Sequence, residues 1–189
     1  MPNLEVTLWD NEKVNIENEV TYYDVIKQKD DKKAKKALAV KASGIKKDLF
    51  DKVADGDVIE IINFDSPEGK EIFFHSSSHV MAQAIQDLFP ETKLAIGPAI
   101  EEGFYYDIES DHTFTPEDFM LIEKKMKEIV KKNLPFNKKI LKKEQAFELF
   151  KKRGEKYKLE LIKDISDDTI SIYEQGDFID LCRGLHLPN

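Results

Sequence analysis

The sequence predicts an α+β fold, with a small sheet domain followed by a larger domain in which strands and helices alternate. Three observations predict it. The 189 residues suffice for one large or two modest domains, and 41% of them are hydrophobic, as in packed cores. Segments with the two-residue period of strands alternate with segments of helical period. A joint rich in turn-forming residues, Ser66-Pro67-Glu68-Gly69, separates the two parts.

The first 64 residues predict strands around one helix. The strands are predicted over 4–9, 13–16, 37–43 and 58–64, and the helix over 22–29. Asp10-Asn11 suits the turn between the first two strands, and Thr21 suits the helix cap. Because this part contains neither His nor Cys, we interpret it as a binding or scaffold domain.

Residues 65–189 predict a longer series of elements. The helices are predicted over 76–89, 116–132 and 143–152, and the strands over 93–100, 103–109, 136–141, 157–163, 169–173 and 177–182. Pro90 ends the first helix, and Gly97-Pro98 interrupts the first strand. Gly184 makes a helix after residue 182 improbable, so the chain there is predicted as a strand end and a turn.

Charge and composition restrict the class of protein. One cysteine excludes an internal disulfide, and neither a signal peptide nor an apolar run of membrane-spanning length is present. The net charge is −8, yet residues 121–158 contain fourteen basic and five acidic residues. Such asymmetry indicates either a surface that faces a polyanion or a solvated, lysine-rich helix face.

Two spaced pairs carry the chemistry that the sequence predicts. His75 and His79 lie four residues apart, and residues with this spacing share a face on a helix, so the two side chains can point at one spot. Cys182 and His186 have the same spacing. The four side chains match a tetrahedral zinc site, but the imidazoles could equally deprotonate a water without metal. The cysteine could be a nucleophile, a hydrogen-bond partner or a ligand. The sequence contains neither the serine-hydrolase elbow nor a glycine-rich nucleotide loop.

The segment HSSSHVMAQAIQDLFPETKLAIGPAIEEGFYYDIE, followed by DFIDLCRGLHLPN, resembles the editing domain of threonyl-tRNA synthetases. Alanyl-tRNA synthetases and their free-standing relatives share part of that domain. Residues 1–64 resemble the ubiquitin-like β-grasp module, the TGS domain, that precedes it in the same enzymes. The resemblance implies that residues 65–189 are the editing domain and that this domain continues beyond residue 189.

The resemblance also implies a function. It predicts a cytoplasmic enzyme that hydrolyses mischarged seryl-tRNA(Thr) without a required cofactor. The resemblance implies these site residues: His75, His79, Cys182 and His186 as the editing tetrad, Asp180 as a pocket acid, Lys158 as a helper of the water and the tRNA end, and Gly97 and Tyr106 as pocket wall. ATP and a catalytic zinc would belong to an aminoacylation core, whose motifs this chain lacks, and the whole enzyme would be a homodimer through that core.

One departure from the resemblance concerns the second pair. The family's usual CRGPH is CRGLH here, and Leu185 in place of proline frees the backbone between Cys182 and His186. Two other hypotheses therefore accompany the editing hydrolase. One is a module that binds tRNA without turnover, and the other is a zinc-dependent hydrolase that uses the His/Cys tetrad.

Overall fold

The computed structural model describes residues 3–17 and 19–189 and confirms the predicted α+β class. The chain divides into two compact units. The first unit comprises the chain up to Phe73 together with Leu185–Pro188, and the second comprises Phe74–Gly184 with Asn189. Within the described residues, no helix combines the length and the apolar content that a bilayer crossing requires.

The first unit contains a β-hairpin, a three-stranded antiparallel sheet and two helices. Its elements are β1 (Asn3–Thr7), β2 (Lys13–Glu17), α1 (Tyr22–Lys29), α2 (Asp31–Ala34), β3 (Ala37–Ala42), β4 (Ile45–Asp48) and β5 (Ile59–Asn63). β1 pairs with β2, and β3 lies between β4 and β5. The predicted strands and α1 are confirmed, whereas α2 and β4 lie in charged stretches that carry no clear period.

Local signals explain why α1 begins where predicted. Thr21 has extended backbone angles, its hydroxyl accepts the N–H of Asp24, and the Asp24 carboxylate accepts the N–H of Thr21. This reciprocal pair satisfies two amide groups that a helix start leaves without partners. Tyr22 and Ile26 then face the core of the unit with at most 1% of their surface exposed.

The next helix, α3 (Pro67–Leu88), begins nine residues earlier than predicted, so the predicted turn at 66–69 is wrong. The hydroxyl of Ser66 accepts the N–H of Gly69 at 3.0 Å, and proline at the first helical position lacks only an N–H that would have no helical partner. A Cβ on Gly69 would lie 1.8 Å from the carbonyl oxygen of Asn63. The glycine therefore permits a close approach of two backbones, not a turn.

The second unit contains the remaining elements. They are β6 (Lys93–Leu94), β7 (Ala99–Ile100), β8 (Gly103–Phe104), β9 (Ile108–Glu109), α4 (Pro116–Lys131), β10 (Asn137–Lys142), α5 (Lys143–Lys152), α6 (Lys156–Asp164), β11 (Thr169–Gln175) and β12 (Phe178–Leu181). All pairs are antiparallel: β6 with β9, β7 with β8, and β11 between β10 and β12. The predicted bounds of α4, α5, β10 and β11 hold within two residues.

Two predicted strands of this unit are wrong. Residues 157–163 form helix α6, because the two buried members of the segment, Lys158 and Ile162, lie four residues apart on one helical face. The alternation of apolar and polar residues there imitates a strand. The predicted strand over 103–109 is two short strands, β8 and β9, with residues 105–107 between them.

Strand β12 positions the second half of the site. Its two-residue period places Phe178, Asp180 and Cys182 on one face, and all three are at least 92% buried. In the register with β11, Asp180 lies opposite Tyr173, which is itself buried. Gly176, with a φ of +62°, makes the turn between the two strands.

Candidate active site

Helix α3 brings two imidazoles together. His75 and His79 lie one turn apart, and their ring centroids are 4.9 Å apart. Both line a cavity of about 230 Å³ in the second unit. His75 is half-buried, whereas only 4% of His79 is exposed. The predicted helical pairing of the two histidines is therefore confirmed.

Cys182 faces the first of these imidazoles. Its Sγ lies 2.9 Å from Nε2 of His75 and accepts the backbone N–H of Gly184 at 3.3 Å. A Cβ on Gly184 would lie 2.8 Å from the same Nε2, so only glycine lets the turn pass this close to the imidazole. The hydroxyl of Ser171 on β11 donates to the carbonyl of Cys182 at 2.5 Å and fixes the strand end.

Asp180 is the buried centre of a hydrogen-bond network. Its Oδ1 accepts the ammonium of Lys158 at 2.5 Å and the N–H of Leu181 at 2.7 Å. Its Oδ2 accepts the hydroxyl of Tyr106 at 2.7 Å and lies 3.3 Å from Nδ1 of His79. A buried carboxylate needs such compensation, because burial without partners would be costly.

Lys158 has an acceptor for each of its three ammonium protons. Besides Asp180, its Nζ reaches the carbonyl of Ala95 at 2.6 Å and the hydroxyl of Tyr106 at 3.2 Å. Only 3% of the residue is exposed, although it lines the cavity. The charged lysine can therefore stabilise negative charge in the cavity, but it has no proton left to donate unless it gives up one of these bonds.

Electrostatics determine the protonation state of His79. Burial lowers the pKa of His79 well below its ordinary value of 6.5, and the influence of His75 and Lys158 lowers it further. The side chain is therefore neutral at pH 7. Its proton belongs on Nδ1, because a lone pair there would face the carboxylate of Asp180. Nε2 then carries the lone pair of the ring, and such a lone pair can accept a proton or bind a metal.

Gly97 and Tyr106 form one wall of the cavity. A Cβ on Gly97 would lie 2.1 Å from Cδ2 of the Tyr106 ring, so the ring packs directly on the glycine backbone. Burial and the neighbouring Asp180 raise the pKa of the Tyr106 hydroxyl, which stays protonated as a donor. The fully buried Ser78 joins this wall to helix α3, with its Oγ 2.8 Å from the Gly97 carbonyl and 2.7 Å from the His75 carbonyl.

The second unit brings together seven of the eight predicted site residues, namely His75, His79, Gly97, Tyr106, Lys158, Asp180 and Cys182. The eighth, His186, lies in the Leu185–Pro188 segment that belongs to the first unit, and 3% of it is exposed. Its part in the site stays a prediction. The roles that the resemblance implies for all eight residues are also predictions.

Three side chains of the second unit could contribute metal ligands. The nearest ligand atoms of His75, His79 and Cys182 all lie within 4.8 Å of one another. Nitrogen and sulfur donors of this kind suit zinc, and the Asp180 carboxylate behind His79 is the support that metal-bound imidazoles usually have. The donor set thus fits zinc, with His186 as the predicted fourth ligand.

Sequence analysis missed several residues of the cavity. Its lining also includes Ile96, Pro98, Leu181, Arg183 and Gly184. Position next to a recognised motif could have indicated Arg183 and Gly184, which stand between Cys182 and His186. Nothing in the sequence distinguishes Ser78 from Ser76 and Ser77, because its role depends on a contact with a loop nineteen residues away.

No model of a known protein family matches the chain. Individual proteins do match it. A threonine–tRNA ligase of Clostridium novyi is 43% identical over 98% of this chain and 29% of its own length. Threonine–tRNA ligases of Syntrophomonas wolfei and Citrifermentans bemidjiense are 51% and 55% identical over 84% and 82% of this chain. The chain spans about a quarter of the length of these curated relatives.

Proposed function

This chain is similar, over most of its length, to one region of threonine–tRNA ligases, and from that premise we propose that it is their editing hydrolase region. Its substrate is seryl-tRNA(Thr), and it cleaves the ester that joins serine to the tRNA 3′ end. The tRNA is the expected partner. The homodimer and the cytoplasmic location implied by the resemblance concern the whole enzyme and stay predictions.

One observation carries the proposal. His75, His79 and Cys182 converge on a small cavity that also contains a buried, charged lysine. Ester hydrolysis needs a group that takes a proton from water and a positive field for the oxyanion that develops, and this cavity offers both. A module that only holds tRNA has no need of a buried acid–base cluster.

The geometry suggests the following course. A water between the two imidazoles attacks the ester carbonyl carbon, and Nε2 of His79 accepts its proton. Asp180 keeps the other imidazole nitrogen protonated and correctly oriented. The field of Lys158 stabilises the negative oxygen. The bond from the carbonyl carbon to the ribose oxygen then breaks, that oxygen receives the proton, and serine and tRNA leave.

The cavity wall can supply the selectivity. Threonine and serine both have a hydroxyl, so a hydrogen bond to that group cannot separate them, and only the methyl differs. The ring of Tyr106 lies against Gly97 with no space between them. Overpacking by one methyl costs about 1–3 kcal/mol, which corresponds to roughly ten- to a hundredfold in rate. A site that attaches the amino acid to tRNA discriminates poorly between side chains that differ by one methyl. A second site that hydrolyses only the smaller product, a second sieve, increases the overall selectivity.

The donor set also permits a zinc-dependent version of the same hydrolysis. His75, His79 and Cys182 would hold the ion, and His186 is the fourth ligand that the sequence predicts. Zinc would lower the pKa of a bound water and make it a nucleophile at neutral pH. Elemental analysis of the purified protein and hydrolysis in the presence of a chelator separate the two versions. One mole of zinc per chain with loss of activity on chelation would support the zinc-dependent one.

The decisive measurement is deacylation of Ser-tRNA(Thr) and Thr-tRNA(Thr) by the 189-residue chain. We expect hydrolysis of the seryl ester at least about tenfold faster than that of the threonyl ester. His75→Ala or Cys182→Ala should slow it by about a hundredfold or more, because each removes a group of the proton-transfer cluster. His112→Ala is the matched control, since His112 lies outside the cavity and pairs with Asp118.

Equal rates on the two esters would contradict the second-sieve function. Binding of tRNA without any hydrolysis would favour the module that holds tRNA without turnover. Unchanged hydrolysis by both His75→Ala and Cys182→Ala would place the active site elsewhere. Circular dichroism of each variant shows whether a loss of activity reflects chemistry or unfolding.

A further inference from the structure

The composition of the chain singles out one residue of the cavity. Of its 29 basic residues only two are arginines, Arg153 and Arg183, and all the others are lysines. Arg183 lines the cavity between Cys182 and Gly184. Lysine supplies charge almost everywhere in this protein, so an arginine at this position indicates a need for the planar, five-donor guanidinium group.

The guanidinium of Arg183 is available for a ligand. Its side chain is 68% exposed, whereas Lys158, the other basic residue of the cavity lining, is only 4% exposed. One guanidinium nitrogen, Nη2, lies 3.1 Å from the carboxylate of Asp167, which is itself 62% exposed. An ion pair so exposed contributes little to stability, because water screens both charges. A stronger anion can therefore displace the Asp167 carboxylate at little cost.

We propose that Arg183 binds the phosphate of the terminal nucleotide of the acylated tRNA while the ester occupies the cavity. The inference rests on the proposed function. In that substrate the ester and the phosphate are attached to the same ribose, at its 3′ and 5′ sides. A cavity that holds the ester therefore leaves the phosphate at its mouth, which is where the exposed guanidinium lies. Arg183 is a binding residue, and it takes no part in proton transfer.

The chemistry of the two groups matches. A guanidinium can form two parallel hydrogen bonds to a phosphate, and charge-assisted bonds of this kind are about twice as strong as neutral ones. Lysine would offer a point charge without that orientation. Asp167 then competes with the phosphate for the guanidinium. Removing Arg183 and removing the charge of Asp167 should therefore have opposite effects on substrate binding.

The test compares two seryl esters across four variants of the chain. One substrate is Ser-tRNA(Thr), and the other is 3′-O-seryladenosine, which has the ribose and the ester but no phosphate. Arg183→Ala should raise KM for Ser-tRNA about ten- to a hundredfold, the loss expected for hydrogen bonds to a charged group. The change in kcat and in the hydrolysis of seryladenosine should be much smaller than the rise in KM for Ser-tRNA.

Three further variants complete the design. Asp167→Asn should lower KM for Ser-tRNA, because it removes the competing carboxylate. Arg183→Lys should restore only part of the affinity that Arg183→Ala loses, because lysine keeps the charge but cannot form two parallel hydrogen bonds to a phosphate. Lys36→Ala removes a positive charge from an exposed side chain of the first unit and should leave both substrates unaffected. The salt dependence of Ser-tRNA binding should fall by about 0.7 in logarithmic slope for Arg183→Ala, as expected for one phosphate contact on a single strand.

Opposite shifts for Arg183→Ala and Asp167→Asn on Ser-tRNA alone would support the proposal. Parallel shifts, or an equal loss on seryladenosine, would overturn it and make the ion pair purely structural. If the chain hydrolyses neither ester, the proposed function fails. Equilibrium binding of uncharged tRNA to the same variants then still tests whether Arg183 binds a phosphate. Opposite shifts in affinity would then support Arg183 as a phosphate ligand, and unchanged affinity would overturn that role.

Discussion

At the scale of single residues, the ion pair of Lys158 and Asp180 dominates the site. Both side chains are at least 96% buried. Two charges removed from water stabilise a fold little as a pair, because desolvation offsets most of their attraction. Removing one of the two charges is costly, since the other then stays buried without a charge to compensate it. The pair therefore fixes geometry more than it adds stability.

Lys158→Met tests this asymmetry. We expect a loss of about 3–5 kcal/mol in the free energy of unfolding, because Asp180 would keep a buried negative charge. Urea denaturation followed by circular dichroism measures it. Lys156→Met is the matched control two residues earlier in α6, where the lysine is 50% exposed and pairs with Glu109. That change should cost far less stability, because water screens an exposed ion pair. Similar losses for both variants would contradict the burial argument.

The residues of the site were predictable to different degrees. Helical spacing alone predicts His75 beside His79. Asp180 is predicted only by the resemblance, and the structure adds that it shares a face of β12 with Cys182. Only the resemblance predicts Lys158 as a site residue, since the segment around it imitates a strand and nothing in the sequence distinguishes this lysine from the solvated ones. Asp180, which compensates the charge of the buried lysine, lies 22 residues away in sequence, so no local pattern reveals the pair.

At the scale of elements, one hydroxyl connects helix α3 with the loop between β6 and β7. Ser78 is fully buried, and its Oγ lies within hydrogen-bonding distance of the carbonyls of His75 and Gly97. The helix carries the two imidazoles, and the loop carries the wall against Tyr106. The hydroxyl therefore helps to set the distance between the proton-transfer groups and the wall that would exclude a methyl.

Ser78→Ala should loosen this connection. We expect a loss of about 1–3 kcal/mol in stability, the cost of leaving a buried acceptor without a donor. The preference for Ser-tRNA(Thr) over Thr-tRNA(Thr) should also decrease, because the wall can move away from the helix. Denaturation and the two deacylation rates measure these effects. Ser77→Ala, the same change at a half-buried neighbour, is the control, and equal effects of both variants would refute the connection.

Helices whose first residue is preceded by a capping threonine are predicted with nearly correct bounds. Thr21 and Thr115 both carry an acid three residues later, and α1 and α4 begin directly after them. The start of α3 was missed because Ser66, Pro67 and Gly69 are typical of turns as well as of helix starts. The structure shows that Gly69 packs against the carbonyl of Asn63 inside a helix. This tertiary contact distinguishes a helix start from a turn, and the local sequence does not reveal it.

At the scale of the whole molecule, the charge is distributed unevenly. Residues 121–158 contain fourteen basic and five acidic residues, whereas the net charge of the chain is −8. Several of these lysines are neutralised locally, such as Lys125 by Asp87 and Lys139 by Glu174. The segment around Lys131 and Lys132, at the end of α4, keeps an exposed basic surface.

If that surface faces the tRNA backbone, neutralising it should weaken binding without affecting hydrolysis of seryladenosine. Replacing Lys131, Lys132 and Lys138 by Gln should lower tRNA affinity and reduce its logarithmic salt slope by about 2–3, nearly one per lost phosphate contact. Titrations at several salt concentrations measure both. Replacing Lys32, Lys36 and Lys47 of the first unit is the control. Unchanged slopes in the first variant would mean that the lysines only form a solvated face.

The α+β class followed from composition and period, but the assignment of the last residues to the first unit did not. Leu185 and Leu187 pack against Ala39, Ile62 and Ile72. This contact joins segments more than 110 residues apart in sequence, and no local pattern encodes it. It also gives a physical reason for leucine where the resemblance has proline, since Leu185 adds an apolar side chain to that cluster.

The early start of α3 has a consequence for motion. A helix that began at Ser76 would leave His75 at its end, where thermal opening costs almost no free energy. Because the helix begins at Pro67, His75 follows more than two turns of continuous backbone hydrogen bonds, and His79 lies one turn deeper. Fraying removes the outer turns of a helix first. The two imidazoles therefore keep their spacing through excursions that release the beginning of the helix.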